Sequence, residues 1–136
     1  MKNIRQITKR IILLIMILLG TLFVSSCLAG SSPSATIEGY LLALAEKDEN
    51  SAVNLSCVDW EEQALAESAS FKTVEVTLEA VECQIDSESS DLSFVSCNGR
   101  FVFSYDAGEE QELVLNGRVF KVIKEAGEWR MCGYPE

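Results

Sequence analysis

Histidine is absent from the 136-residue sequence, and this absence limits both metal binding and catalysis. A zinc site normally uses histidine or closely paired cysteines, and the cysteines here are widely spaced with no Cys-x-x-Cys pair. Acid–base chemistry would have to rest on a carboxylate, and Asp59 with Tyr40 or Tyr105 is the one pairing to consider. Asp59 is better explained as a helix cap. We therefore predict no catalytic residue, no metal and no cofactor.

Basic residues are also scarce, with 11 Lys and Arg against 21 Asp and Glu. Four of the bases lie within residues 1–26, so the remainder of the chain has 21 acidic and 7 basic residues and a net charge of −14. The electrostatic field of this negative charge repels nucleic acid and anionic lipid headgroups, which excludes nucleic acid as a partner. A solvated acidic surface explains the charge, and attraction of cations or a basic protein is the alternative.

No apolar run is long enough for an ordinary membrane span. The longest covers residues 11–24, fourteen in all, whereas a spanning helix needs about 20. It follows a basic head that contains Lys2, Arg5, Lys9 and Arg10 and no acidic residue. A basic head followed by an apolar run of this length is typical of a cleaved signal peptide.

Residues 24–27, Val-Ser-Ser-Cys, resemble the lipobox of bacterial lipoproteins. The resemblance implies cleavage before Cys27 and diacylation of its sulfur, and two acyl chains suffice for stable anchoring. It predicts a signal peptide at 1–26, a lipidated cysteine with a flexible tether at 27–34, and a domain at 35–136. The predicted location is the extracytoplasmic face of the cell membrane. Ordinary secretory cleavage after Ser26 and an uncut anchor helix are the alternatives.

The pattern of the domain predicts three helices before any strand. Four apolar residues of the first helix share one face at spacings of three and four: Ile37, Tyr40, Leu41 and Leu44. A short second helix ends near Cys57. Asp59 followed by Glu62 indicates a capping box, which starts a third helix that spans residues 60–70.

Strand periodicity follows from residue 74 onward. Four strands are predicted, over residues 74–85, 92–105, 111–124 and 128–134. The apolar phase slips by one residue at Ala80 and Val81, which indicates a β-bulge. Asn116 and Gly117 mark either a second bulge or a small turn, and the bulge is favoured. Helices followed by an antiparallel meander predict an α+β fold with the helices on one sheet face.

Acylation of Cys27 would leave four of the five cysteines, an even set for an oxidising compartment. Placing Cys83 opposite Cys97 in the first hairpin puts both apolar phases on one face and leaves residues 88–92 as the loop. Opposed residues of this kind lie about 4.5 Å apart at Cα, within disulfide reach. We therefore predict Cys83–Cys97 and Cys57–Cys132, with buried free thiols as the alternative.

Two stretches carry a wider resemblance: residues 40–45 (Tyr-Leu-Leu-Ala-Leu-Ala), followed by Lys47 and Asp48, and residues 127–132 (Gly-Glu-Trp-Arg-Met-Cys). Over about residues 35–134 the chain resembles the nuclear transport factor 2-like superfamily, and within it small bacterial lipoprotein domains of unknown function. The resemblance implies a cone with helices packed on a curved four-stranded antiparallel sheet. It also implies that a homodimer can form through the open sheet face. Isomerases, dehydratases, assembly domains and passive binders share the fold, so the fold does not define function.

A curved sheet capped by helices encloses a pocket, and five aromatic residues are its candidate linings: Tyr40, Trp60, Phe101, Phe103 and Trp129. The alternative is that these side chains simply form the core. The favoured function is a non-enzymatic, lipid-anchored domain that binds a protein partner or a small apolar ligand, or assists an envelope process. The alternative function is an isomerase- or dehydratase-type enzyme for a small molecule.

Overall fold

The computed structural model describes residues 32–106 and 108–135. The predicted signal peptide, Cys27 and residues 28–31 of the predicted tether lie outside this part of the chain. Within the described residues, no helix combines the length and the apolar composition that a membrane crossing requires.

Three α-helices open the domain: α1 (Pro33–Ala45), α2 (Glu49–Asn54) and α3 (Glu61–Phe71). Helix α1 begins two residues before the predicted start of the domain, because Ser32 accepts a hydrogen bond from the Ala35 amide and Pro33 occupies the first turn. Asp48 caps α2 in the same way by accepting from the Ser51 amide. Residues 33 and 34, predicted as tether, are therefore helical.

The predicted cap of the third helix is wrong. Asp59 lies inside a short 3₁₀ helix, Val58–Trp60, and Trp60 is the N-cap of α3 without a side-chain hydrogen bond. The chain enters α3 this way because the Cys57 amide donates to the Met131 carbonyl while the Cys57 carbonyl accepts from Trp60. The segment before α3 is thus bound to the sheet and turns tightly away from it.

Five antiparallel strands form one sheet: β1 (Glu75–Glu88), β2 (Leu92–Ser104), β3 (Glu110–Val114), β4 (Arg118–Glu125) and β5 (Glu128–Met131). Strand β1 pairs with β2 along its whole length. Both β3 and β4 pair with β2 as well, and β5 pairs with β4. Since β1 occupies one edge of β2, the other two strands share the opposite edge.

The predicted third strand is divided, which makes five strands instead of four. Residues 115–117 face only residues 98 and 99 of β2, so the register shifts by one residue between β3 and β4. The Arg118 amide donates to the Leu115 carbonyl at 2.8 Å, and Gly117 has a φ of 81°. The favoured bulge within one continuous strand is therefore wrong, and the alternative, a small turn, is what interrupts the strand and shifts the register.

The predicted bulge in β1 is confirmed. Ala80 and Val81 face the single residue Gly99 of β2, and the register shifts there. Cys83 pairs with Cys97 and Ile85 with Val95, as predicted. A second shift follows between Ile85 and Ser87, and β1 then continues to Glu88. The predicted loop of residues 88–92 is therefore wrong in length, and only residues 89–91 connect the strands.

The two disulfides have the predicted pairing. Cys83–Cys97 spans Cα atoms 4.1 Å apart inside the β1–β2 hairpin. Cys57–Cys132 spans 5.3 Å and joins the segment after α2 to the segment after β5. Hydrogen bonds support the second bridge, because Met131 donates to the Leu55 carbonyl at 2.7 Å and accepts from Cys57 at 2.8 Å.

The core lies between the helices and the concave face of the sheet. Helix α1 supplies its whole predicted face, and the strands supply alternate residues, as the pleat requires. The largest fully buried side chains include Tyr40, Ile37, Leu115, Phe120, Met131, Val95 and Val122. This arrangement leaves one end of the cone, between α1, α3 and β2–β4, incompletely filled.

Candidate functional site

A cavity of about 200 Å³ occupies that end of the cone, and we call it the cone pocket. Its walls come from α1, α3, β2, β3, β4 and the segment after β5. Most of the lining is apolar: Leu41, Leu44, Phe71, Phe101, Leu113, Leu115 and Phe120. Three residues add polar groups, namely Glu67, Arg118 and Tyr134.

Glu67 is the polar centre of the cone pocket. It lies on α3 three residues after Ala64 and four before Phe71, both of which are buried, so the helix directs it toward the sheet. The Tyr40 hydroxyl donates to Glu67 Oε2 at 2.7 Å, and the Tyr134 hydroxyl donates to Oε1 at 3.1 Å. Each carboxylate oxygen therefore accepts one hydrogen bond from a tyrosine hydroxyl.

Both phenols are held in their neutral, donating form. Burial is the main cause that raises the pKa of Tyr40, and the hydrogen bond to Glu67 and its negative charge raise it further. Burial also raises the pKa of Tyr134, followed by the charge and the hydrogen bond of Glu67, while Arg118 lowers it. The two hydroxyls consequently remain protonated at neutral pH and keep Glu67 in place.

Trp60 packs against Tyr134 and so helps to position its hydroxyl at Glu67. Its ring meets that of Tyr134 edge-on at 5.6 Å between centroids. A Cβ at Gly133, where φ is 101°, would come within 3.0 Å of the Trp60 ring, so glycine permits the close approach that places Tyr134 against the pocket. The Trp60 indole nitrogen lowers the pKa of Tyr40, although this buried atom makes no hydrogen bond of normal geometry with any described residue.

The structure brings only part of the predicted lining set to the cone pocket. Phe101 lines it, and Tyr40 lies buried beneath Glu67. Trp60 contacts Tyr134, and Phe103 packs against Phe71 at 5.4 Å. Of these four residues, Phe101 belongs to the wall of the pocket, and the other three surround it.

Trp129 lies elsewhere in the core, with the Lys124 ammonium 5.2 Å from its ring centre. Asp59 is exposed and forms no pair with Tyr40, whose partner is Glu67. Tyr105 lies in a different, polar depression with Lys47 and Lys72. The Asp59 pairing considered from the sequence is therefore wrong.

The three polar residues of the cone pocket, Glu67, Arg118 and Tyr134, were not among the residues predicted for the site. The available signal was helical spacing, because Glu67 lies three residues after Ala64 and four before Phe71 and so shares a helix face with these apolar residues. An acidic residue on a buried helix face needs donors, and tyrosines are suitable ones. Among the described residues, no group of three or more acidic or cysteine side chains converges in a way that could hold a metal.

No protein-family model matches this chain, and no curated protein matches it in sequence. Solved structures do resemble it. A ketosteroid isomerase-like protein from Erwinia carotovora atroseptica aligns with a TM-score of 0.57 at 19% identity, over 79% of this chain and 95% of that one. A SEC-C motif containing protein from Rhodopseudomonas palustris aligns with a TM-score of 0.53 at 19% identity, over 77% and 78% of the two chains.

A third similar structure, described as a calcium/calmodulin dependent protein kinase II association domain from Xanthomonas campestris, has a TM-score of 0.52 at 14% identity and covers 75% and 85% of the two chains. At such identities the likeness concerns the fold. The fold is the nuclear transport factor 2-like α+β cone, with helices packed on a curled antiparallel sheet. Function must be argued from the cone pocket itself.

Proposed function

We propose that this protein is a lipid-anchored, extracytoplasmic domain that binds a small, largely apolar ligand in the cone pocket without transforming it. The observation that carries the proposal is the pocket: about 200 Å³, apolar walls and a single carboxylate at its polar centre. A concave apolar site with few converging polar groups is the usual form of a ligand site. Pockets for drug-sized ligands start at about 300 Å³, so the ligand here is smaller.

Binding is favoured over catalysis by the lack of a second group for proton transfer. Acid–base catalysis needs a partner that returns the proton to the substrate. Here the hydroxyls of Tyr40 and Tyr134 are already engaged as donors to Glu67, and the sequence has no histidine. The enzyme alternative is supported by the likeness in fold to the ketosteroid isomerase-like protein and by the presence of a pocket carboxylate.

A larger side chain that fills the cone pocket should prevent ligand binding. Leu113→Trp places a larger ring into the pocket from β3 and should abolish binding of cyclohexylmethanol, a neutral apolar probe, followed by ¹H–¹⁵N NMR shifts of pocket residues. Overpacking should cost about 1–3 kcal/mol of stability. Val114→Trp is the matched control, because its side chain is 51% exposed and successive strand residues point to opposite faces. Equal binding by both variants would place the probe outside the pocket.

The lipid anchor is tested at Cys27. Replacing Cys27 by serine should release the domain from membranes or stall its processing, because serine offers no thiol for diacylation. Carbonate-washed membrane fractions and incorporation of labelled palmitate measure the two effects. Leu28→Ala changes the neighbouring residue and leaves the thiol, so it should remain anchored. Unchanged membrane retention with normal cleavage in the serine variant would contradict the proposal.

A further inference from the structure

The charge of Glu67 has no counter-ion within the described structure. Its two partners are neutral phenols, and it forms no ion pair with any described residue. Arg118 also borders the cone pocket, but it is exposed and its Nε donates to the Val114 carbonyl at 3.3 Å. A half-buried negative charge therefore faces an apolar cavity without a cation bound to it.

Glu67 also has unused hydrogen-bonding capacity. A carboxylate has about four lone-pair positions, and the two tyrosines occupy two of them. A ligand group with several N–H donors can occupy the others, and a charge-assisted bond of this kind is about twice as strong as a neutral one. Tyr40 and Tyr134 fix the carboxylate beforehand, so the ligand does not have to order it.

The remaining walls suit an organic cation. Four aromatic rings line the cavity, those of Phe71, Phe101, Phe120 and Tyr134. Aromatic faces attract ammonium groups and also pack against hydrocarbon. An anionic ligand would meet Glu67 and the net charge of −10 of the whole chain.

We propose that the ligand of the cone pocket is a small organic ammonium compound, an amine with an apolar body, and that Glu67 is its counter-ion. The proposal rests on the proposed binding function and adds the chemical class of the ligand. The apolar body lies against the leucine and phenylalanine walls, and the ammonium group donates to the carboxylate that the two tyrosines hold. Arg118 opposes this attraction from the rim, so its removal should strengthen amine binding.

The test compares three probes of nearly equal shape at neutral pH: cyclohexylmethylamine, cyclohexylmethanol and cyclohexanecarboxylate. The dissociation constants come from NMR titration of the intact domain. We expect the amine to bind about tenfold more tightly than the alcohol, since a charge-assisted contact replaces a neutral one, and the carboxylate to bind most weakly. Arg118→Gln should increase the amine's affinity further.

Glu67→Gln should lower the binding affinity of the amine to that of the alcohol. The control is Glu62→Gln on the same helix, where the side chain is exposed and the change in net charge is identical. If the amine loses its higher affinity relative to the alcohol in the Glu67 variant alone, Glu67 is its specific counter-ion. An equal loss of affinity in both variants overturns that assignment. If the Glu67 variant does not fold, the three-probe series on the unchanged protein still decides the matter.

The outcomes also separate this inference from the proposed function. One outcome is that the alcohol binds in the pocket, Leu113→Trp prevents this, and the amine binds no more tightly than the alcohol. In that case the proposed pocket binding is correct and the proposed ammonium ligand is wrong. If the carboxylate binds best, the ammonium ligand is likewise wrong and Arg118 is the recognising group. If none of the three probes binds, both proposals are wrong.

Discussion

Replacing Cys57 and Cys132 together by alanine is expected to lower the free energy of unfolding by about 4 kcal/mol. The bridge closes a loop of 75 residues, and the entropy that such a loop removes from the unfolded chain corresponds to about 4 kcal/mol at 25 °C. It also connects the helical half of the domain to the edge of the sheet, where Ser56 and Met131 form a parallel bridge. Urea unfolding of the oxidised protein and the double variant measures the difference.

The matched control is the alanine pair at Cys83 and Cys97. This bridge closes only 14 residues within one hairpin, so its removal should cost nearer 3 kcal/mol. The hairpin retains its backbone pairing in that variant, whereas the Cys57–Cys132 variant loses the covalent connection between two separate parts of the fold. A larger loss from the local pair would contradict the argument from loop length.

Gly99→Ala is expected to destabilise the domain by about 3 kcal/mol. Gly99 has a φ of 108°, where a residue with a Cβ is strained by about 1–2 kcal/mol. A Cβ at this position would also lie 2.6 Å from the Glu79 carbonyl oxygen and 2.8 Å from that of Ala80. These atoms belong to the backbone of the β1 bulge and cannot move aside freely, so overpacking adds a further 1–3 kcal/mol.

Gly117→Ala isolates the first of these effects, the backbone strain. Gly117 also has a positive φ, 81°, but an added Cβ would have no neighbour within 4 Å. Only the backbone strain remains, and we expect a loss of about 1 kcal/mol. Thermal or urea unfolding of the two variants gives the comparison, and similar losses would show that the contact with the β1 bulge adds nothing.

Features of the fold that depend on local periodicity could be predicted from the sequence. The buried face of α1 follows from the spacing of Ile37 and Tyr40, and both side chains are fully buried. The β1 bulge could be recognised because one extra residue reverses the parity of every side chain after it. The disulfide of the hairpin followed from the same parity, since it places Cys83 opposite Cys97.

The features that were predicted wrongly depend on contacts between distant parts of the chain. Asp59 matched a capping box, but the hydrogen bond between Cys57 and Met131 determines how the chain enters α3. The two donors of Glu67 lie 27 residues before it and 67 residues after it. Local spacing contains no information about either partner, so Tyr40 and Tyr134 could be assigned to Glu67 only from the three-dimensional structure.

The pairing of Cys57 with Cys132 has a consequence for biosynthesis. A chain that is exported as proposed emerges from its N-terminus, so Cys57 appears before any other cysteine of the domain. Its partner follows 75 residues later, and both cysteines of the hairpin bridge come in between. Rapid oxidation would therefore join Cys57 to Cys83, the first thiol available to it. The native pairing then requires either delayed oxidation or exchange of that first bond through a mixed disulfide, which makes maturation dependent on the thiol-exchange capacity of the compartment.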